Sequence, residues 1–171
     1  MAKRKLIIHP TDFSRGAGVA FTTAMETAKR DGAELILLYV LEPLSGLSEE
    51  THVARRIPVL EAAEAAARKA LAGLQVRAKK AGVPTNEVVI QGWPPAQIAR
   101  LAKTRGADLI VMGTRGRTGL KKLLLGSVAE RVVAIAPCPV QTSPTARPCA
   151  FRCLPGVASV KRRIGMWVRR L

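Results

Sequence analysis

Short apolar runs alternate along this chain with longer segments whose apolar residues recur at helical spacing. The apolar runs are bounded by Gly, Pro or charged residues and predict strands over Lys5–His9, Glu34–Leu41, Glu87–Ile90 and Asp108–Met112, with a fifth starting at Cys138. The segments between them are rich in helix formers and predict helices over 15–31, from Pro58 to about 80, over 96–104 and over 127–136.

The first of these helices carries clear boundary signals. Ser14 is a good N-cap residue, and Gly32 is suited to end the helix in a left-handed conformation. Its predicted buried face consists of Val19, Ala20, Ala24 and Ala28.

Strict alternation of strand and helix predicts an α/β fold with one doubly wound parallel sheet. Parallel strands need helical crossovers, and these cover both faces of the sheet. The unbroken apolar run ELILLYVL at 34–41 is typical of a strand buried on both faces. We therefore expect five parallel strands, with any ligand bound beyond their carboxyl ends.

A glycine-rich segment follows the fourth predicted strand and precedes the last helix. Its pattern is Gly113-x-x-Gly116, then nine residues, then Gly126-Ser127. Glycines allow a close backbone approach, and a helix N-terminus offers free N–H groups with a partial positive charge, to which Ser127 adds a hydroxyl. The segment therefore predicts a phosphate or nucleotide site, and the alternative is a plain connecting loop.

Several classes of nucleotide-dependent and catalytic protein are excluded by motif. The chain has neither G-x4-G-K-[ST] nor G-x-G-x-x-G after its first strand. No Ser/His/Asp arrangement, no metal-ligand spacing and no convincing general base beside the glycines stands out, so we assign no catalytic residue. Phosphoryl transfer needs such groups. The sequence thus favours a nucleotide-binding sensor, with at most slow ATP hydrolysis, over an enzyme.

Composition sets the class and the expected compartment. The 171 residues are 48% apolar but only 4% aromatic, which predicts one domain with an aliphatic core. The apolar run Leu6–Ile8 is too short for a signal peptide, and the three cysteines do not form an even disulfide framework. We expect a cytoplasmic protein without a transmembrane segment.

The net charge of +16 is concentrated toward the C-terminus. Residues 141–171 contain 7 Lys or Arg and no acidic residue. We expect a nucleotide-binding domain over 1–143 and a basic, poorly ordered tail over 144–171. SVKRRIGMWVRRL at 159–171 also fits a basic amphipathic helix, which gives the alternative function of weak association with nucleic acid or an anionic surface.

Three motifs make the chain resemble the ATP-binding branch of the universal stress protein family. GTRGRTGLKKLLLGSV at 113–128 matches the G-x2-G-x9-G-[ST] motif of that family, IIHPTDFS at 7–14 matches its first-strand signature, and APCPV at 136–140 matches the start of its last strand. The resemblance covers roughly residues 3–140. It implies the strand order 3-2-1-4-5 and a role in the stress response.

The resemblance also implies a site. Its ligand would be ATP, with Mg²⁺ or Mn²⁺ bridging the phosphates, and Val40 would contact the adenine edge through its backbone. The residues that the resemblance assigns to the site are Pro10, Thr11, Asp12, Val40, Met112, Gly113, Arg115, Gly116, Arg117, Gly126, Ser127 and Val128.

Four residues have a second interpretation. Asp12 is either a ligand contact or a neighbour of a helix cap. His9 is more easily read as structural than as catalytic, and Trp93 either packs at the rim of the site or flanks the ligand. Cys138, between two prolines, is expected to be buried rather than reactive.

The resemblance further implies a homodimer, formed in this family through the last strand. Here the polar residues after Val140 and the following Pro144 limit that strand to about four residues. Because a short, proline-limited strand offers few ladder hydrogen bonds, we expect the dimer to be weakened or altered.

Overall fold

The computed structural model describes residues 4–43, 53–114, 125–144 and 166–168. Within these ranges strands and helices alternate from the first strand to the fifth, as predicted. In chain order the elements are β1 Leu6–Pro10, α1 Arg15–Asp31, β2 Glu34–Leu41, α2 Val53–Lys80, β3 Thr85–Gln91, α3 Pro94–Arg105, β4 Leu109–Gly113, α4 Ser127–Ile135, β5 Val140–Ser143 and β6 Met166–Val168.

The strands form one sheet in the order β3-β2-β1-β4-β5-β6. The first five are parallel, which confirms the predicted doubly wound sheet of order 3-2-1-4-5. β6 is an addition that the sequence did not predict. It comes from the basic tail and pairs antiparallel with β5, where Gln141 lies opposite Trp167. The rest of the predicted tail lies outside the described residues, except for Pro144.

The core consists of two apolar layers, one on each face of the sheet. Alternate residues of β2 point to opposite faces, so Leu35 and Leu37 pack with α1 and α2 while Ile36 and Leu38 pack with α3 and α4. All four side chains are buried. This arrangement explains why the β2 sequence is apolar without interruption.

The α1 boundaries agree with the prediction. The hydroxyl of Ser14 accepts a hydrogen bond from Ala17 N, and Gly32 ends the helix at φ 60°. Ala20, Ala24 and Ala28 are buried as expected, but Val19 is 36% exposed. The prediction for Val19 was wrong because the buried stripe continues through Ala17 and Phe21 instead.

The start of α2 was also predicted wrongly. The helix begins at Val53, so Pro58 lies inside it rather than in its first turn. A proline φ is compatible with a helix, but the residue lacks an N–H donor and its ring crowds the carbonyl four residues earlier, here that of Ala54. Near a helix start few hydrogen bonds depend on it. β5 covers only Val140–Ser143 and ends before Pro144, as expected, although it starts two residues after the predicted Cys138.

His9 is a polar residue inside the core. It is fully buried, and its Nδ1 donates a hydrogen bond to Val111 O at 2.8 Å. The β1–β4 register ends at Ile8 opposite Ile110. If the ladder continued, residue 10 would donate its N–H to Val111 O, but Pro10 has none. The imidazole therefore supplies the donor that the strand lacks, which agrees with a structural role for His9.

Burial lowers the pKa of His9 from 6.5 to about 4. Nε2 has no hydrogen-bond partner among the described residues. In the neutral ring this atom is an acceptor, whereas protonation would bury a second, unpaired N–H donor together with a charge.

None of the helices that the structure describes is long and apolar enough to cross a membrane.

Gly18→Ala is expected to stabilise the protein. Gly18 lies within α1, and a Cβ added there meets nothing within 4 Å. The gain is about 0.5–1 kcal/mol, or about 1–4 °C in the midpoint of thermal unfolding. Gly32→Ala is the matched control, because φ +60° at Gly32 disfavours any Cβ and should cost about 1 kcal/mol. Equal shifts for the two variants would contradict this assignment.

Stability should fall as the pH drops from about 6.5 to about 4. In this window the unfolded state binds a proton on His9 that the folded state does not, so the contribution of His9 is complete above pH 6.5 and is lost on acidification. The loss is about 3 kcal/mol at most. Denaturant unfolding across this range should show a smaller pH dependence for His9→Asn than for the wild type. Parallel curves would rule out His9 as the source.

Candidate functional site

A cavity of about 690 Å³ opens at the carboxyl ends of β1, β2 and β4, between the first turns of α3 and α4. The chain leaves β1 for β2 on one side and leaves β4 for β5 on the other, so the connections that follow these two neighbouring strands diverge here. Such a switch point is where open α/β sheets bind ligands. The cavity is lined by Pro10, Thr11, Asp12, Ala17, Leu38, Tyr39, Val40, Leu41, Glu42, Trp93, Pro94, Pro95, Ile98, Met112, Gly113, Thr114, Gly126, Ser127, Val128 and Ala129.

The cavity brings together the predicted site residues that the structure describes. They come from the turn after β1, the end of β2, the end of β4 and the start of α4, and they are Pro10, Thr11, Asp12, Val40, Met112, Gly113, Gly126, Ser127 and Val128. Arg115, Gly116 and Arg117 lie outside the described residues.

The turn after β1 is held by its own side chains. Thr11 Oγ1 accepts a hydrogen bond from Phe13 N, and Asp12 Oδ1 accepts one from Ser14 N at 3.0 Å. Phe13 has a φ of 61°, which is uncommon for a residue with a side chain, and its ring stacks on Tyr39 with centroids 5.1 Å apart. Asp12 thus supports the helix cap and lines the cavity, so its two interpretations are compatible.

Gly113 is required by packing. A Cβ at this position would lie 2.9 Å from the carbonyl carbon of Gly16, in the first turn of α1. The absence of a side chain lets α1 approach the end of β4 closely. This sets one wall of the cavity.

Gly126 has a different part in the cavity wall. It is the N-cap of α4 in an extended conformation with φ −74°, which any residue can adopt. Its N–H donates to Thr114 O at 2.7 Å and is therefore not directed at a ligand. What Gly126 contributes is an N-cap without a side chain.

The donors at this end of the cavity are the first amides of α4. Glu130 N is the first to bond within the helix, to Gly126 O, and the N-cap residue Gly126 has no side chain with which to cap the N-terminus. The N–H groups of Ser127, Val128 and Ala129 precede it, and all three residues line the cavity. Together with the helix dipole they form an anion-binding end.

The opposite end of the cavity is apolar and includes a free stretch of strand. Thr11 N donates to Leu38 O in the last hydrogen bond between β1 and β2, whereas β2 runs on to Leu41. Because hydrogen bonds alternate along a strand, the N–H and C=O of Val40 face the side that β1 has left. They are placed to contact a planar polar edge.

The site residues predicted from the motifs do not include Glu42, and the sequence left Trp93 with two interpretations, packing at the rim or flanking the ligand. Trp93 is the N-cap of α3 and 50% exposed, and Arg131 lies over its ring at 4.9 Å. The signal was present in the turn QGWPP, which follows β3 as PTDFS follows β1. Glu42 lies directly after β2, where the apolar run that marked the strand ends.

The Cys138 thiol is half-buried, and burial raises its pKa to about 11. It is therefore protonated at neutral pH, as expected of an unreactive cysteine. His9, buried beneath the sheet, does not line the cavity.

Comparison with known proteins agrees with this geometry. The model of the universal stress protein family matches residues 3–142. The universal stress protein MJ0531 of Methanocaldococcus jannaschii is 38% identical over 138 residues, which cover 80% of this chain and 79% of that protein.

Solved structures show the same similarity. The universal stress protein UspA from Lactobacillus plantarum superposes with a TM-score of 0.75 at 30% identity, covering 83% of this chain and 99% of that one. A universal stress protein in complex with cAMP superposes with a TM-score of 0.64 at 25% identity, covering 85% of this chain and all of that one. The family model matches most of this chain, and the cavity lies at the switch point of the sheet. This chain therefore belongs to the universal stress protein family.

Proposed function

We propose that this protein binds an adenine nucleotide, ATP in the first instance, and acts as a nucleotide-dependent regulator in the stress response. The observation that carries the proposal is the cavity itself, which Asp12 and the first turn of α4, with its glycine N-cap, line together at the switch point. Its volume of about 690 Å³ is within the usual range of small-molecule sites. The similar universal stress protein in complex with cAMP supports an adenine nucleotide as the class of ligand.

The two ends of the cavity suit the two ends of a nucleotide. Phosphate oxygens accept hydrogen bonds, so the phosphates belong at the Ser127, Val128 and Ala129 amides. The adenine belongs among Leu38, Ile98 and the Val40 backbone, which offer an apolar surface with one donor and one acceptor. Asp12 then lies near the sugar, whose hydroxyls donate to carboxylates.

Charge in the cavity favours a metal–nucleotide complex over the bare anion. The described lining contains two carboxylates, those of Asp12 and Glu42, and no Lys or Arg. A triphosphate would meet repulsion from them, which Mg²⁺ or Mn²⁺ bridging the phosphates would reduce. When bound, the ion supplies charge neutralisation. Arg115 and Arg117, whose places lie outside the described residues, add positive charge to the same loop in the sequence.

Assembly is the second part of the proposal. We infer a homodimer that is weaker than one formed through a free β5 edge, because β6 covers that edge over Val140–Thr142. An exposed edge strand pairs readily with another chain, whereas a covered one does not.

Gly126→Val should weaken binding of MgATP at least about tenfold, because the added side chain stands beside the amides that the phosphates approach. The fold should persist, since φ −74° and ψ 155° suit valine and losing a glycine N-cap costs about 1 kcal/mol. Isothermal titration calorimetry measures the affinity. Gly73→Val, at an exposed position of α2 with open space around it, is the control.

Gly113→Ala separates packing from ligand contact. The clash with Gly16 should cost about 1–3 kcal/mol in the free energy of unfolding. This variant should therefore show a loss of thermal stability without a selective loss of affinity for MgATP.

Wild-type affinity for MgATP in Gly126→Val would refute the proposed site. Hydrolysis by the wild type at about 1 s⁻¹ or faster would favour an enzyme over a regulator.

Trp167→Pro should strengthen self-association. Proline cannot donate in the β5–β6 ladder, so β6 should detach while the length and charge of the tail are kept. Sedimentation equilibrium should give a lower dimer dissociation constant for this variant than for the wild type. An equally tight dimer in both would show that the β5 edge is not what limits association.

A further inference from the structure

Trp93 stands out among the few aromatic residues of the chain. Half of its surface is exposed, yet it lines the cavity rather than an outer face. The motifs of the family resemblance do not include it. Its position at the start of α3 raises the question of what a large planar side chain does at this rim.

The backbone around Trp93 is fixed on both sides. Gly92 has a φ of 138°, so this position favours glycine. Pro94 begins α3 directly after Trp93. The backbone on both sides of Trp93 is therefore restricted in conformation.

A hydrogen bond places this turn beside the end of β2. Gly92 N donates to Leu41 O at 2.9 Å. Val40, whose backbone groups face the gap left by β1, is the neighbouring residue on the strand. Trp93 thus borders the apolar end of the cavity, together with Pro94 and Ile98.

Arg131 packs over the indole ring of Trp93. Its guanidinium carbon lies 4.9 Å from the ring centroid, within the range of a cation–π contact. Arg131 follows Ser127 by four residues, so both lie on the same face of α4. The contact therefore links the start of α3 to the helix whose first turn forms the anion-binding end.

We propose that Trp93 stacks on the base of the bound nucleotide and that Arg131 is a positioning residue for the indole. This inference rests on the proposed function and names a further contact in the same site. Stacking uses the ring face that every base has, so Trp93 adds affinity for ligands with a planar base without selecting among bases. Identity would be read elsewhere, by the Val40 backbone.

The test compares ligands that carry different ends of the nucleotide. MgATP, adenosine and magnesium tripolyphosphate are titrated into the full-length wild type, Trp93→Ala and Trp93→Phe. Trp93→Ala should bind MgATP and adenosine about tenfold more weakly and tripolyphosphate unchanged. Trp93→Phe should recover most of the loss. Ile135→Ala, at a 48% exposed position of α4 outside the cavity lining, is the control.

Arg131 is tested through Trp93. Arg131→Ala should weaken adenosine binding less than Trp93→Ala does, and in the double variant it should add nothing further, because it acts through the indole. Arg131→Lys, which keeps the cation, should restore binding. In a Trp167→Phe background, ligand-induced fluorescence changes report on Trp93 alone.

The outcomes separate this inference from the proposed function. The stacking role is refuted, and the site stands, if the wild type binds MgATP and Trp93→Ala binds it equally well. The same holds if the affinity of Trp93→Ala for tripolyphosphate falls as much as its affinity for MgATP. If the wild type binds neither MgATP nor adenosine, the proposed function fails and the stacking role fails with it.

Discussion

The hydrogen bond from His9 Nδ1 to Val111 O lies at the point where the sheet opens. Pro10 ends the ladder between β1 and β4 because it has no N–H to offer Val111. A buried carbonyl without a donor is costly, and the imidazole replaces the missing donor from one residue earlier. The two strands can therefore separate beyond this point while the carbonyl of Val111 stays hydrogen-bonded. The cavity occupies the gap that this separation leaves.

The same proline explains the other boundary of the cavity. In the last hydrogen bond between β1 and β2, Thr11 N donates to Leu38 O, and the chain then turns through Phe13 into α1. β2 continues past this point to Leu41, so the backbone of Val40 loses its neighbour. An early end to one central strand thus produces both the space and the unpaired strand groups that border it.

Much of this could be predicted from the sequence because local signals and tertiary constraints agree. Apolar runs located the parallel strands, and the Ser14 and Gly32 caps gave both ends of α1. The glycine motif located one wall of the cavity. Its residues nevertheless do different physical work, since Gly113 permits helix packing and Gly126 leaves the α4 amides uncovered. Spacing alone cannot distinguish these two uses of glycine.

The parts that the sequence did not predict depend on contacts between distant segments. The start of α2 was misplaced because a proline rule for first turns was applied to Pro58, which a longer helix tolerates. β6 could not be foreseen, since three residues acquire strand structure only by pairing with β5. Trp93 lines the cavity because a hydrogen bond from Gly92 N to Leu41 O holds the ends of β3 and β2 together.

These contacts also bear on how ligand binding could act as a signal. The anion-binding end belongs to β4 and α4, whereas the apolar end belongs to β2 and α3, on the other side of β1. A nucleotide that contacts both ends stabilises the arrangement in which the two ends are correctly spaced. The population of that arrangement grows with the ratio of the nucleotide concentration to its dissociation constant. A ligand with only one of the two chemistries lacks this leverage. Under the proposed function, regulation through the cavity would therefore require a molecule with a base and a phosphate together, which is the property that separates a nucleotide from either of its parts.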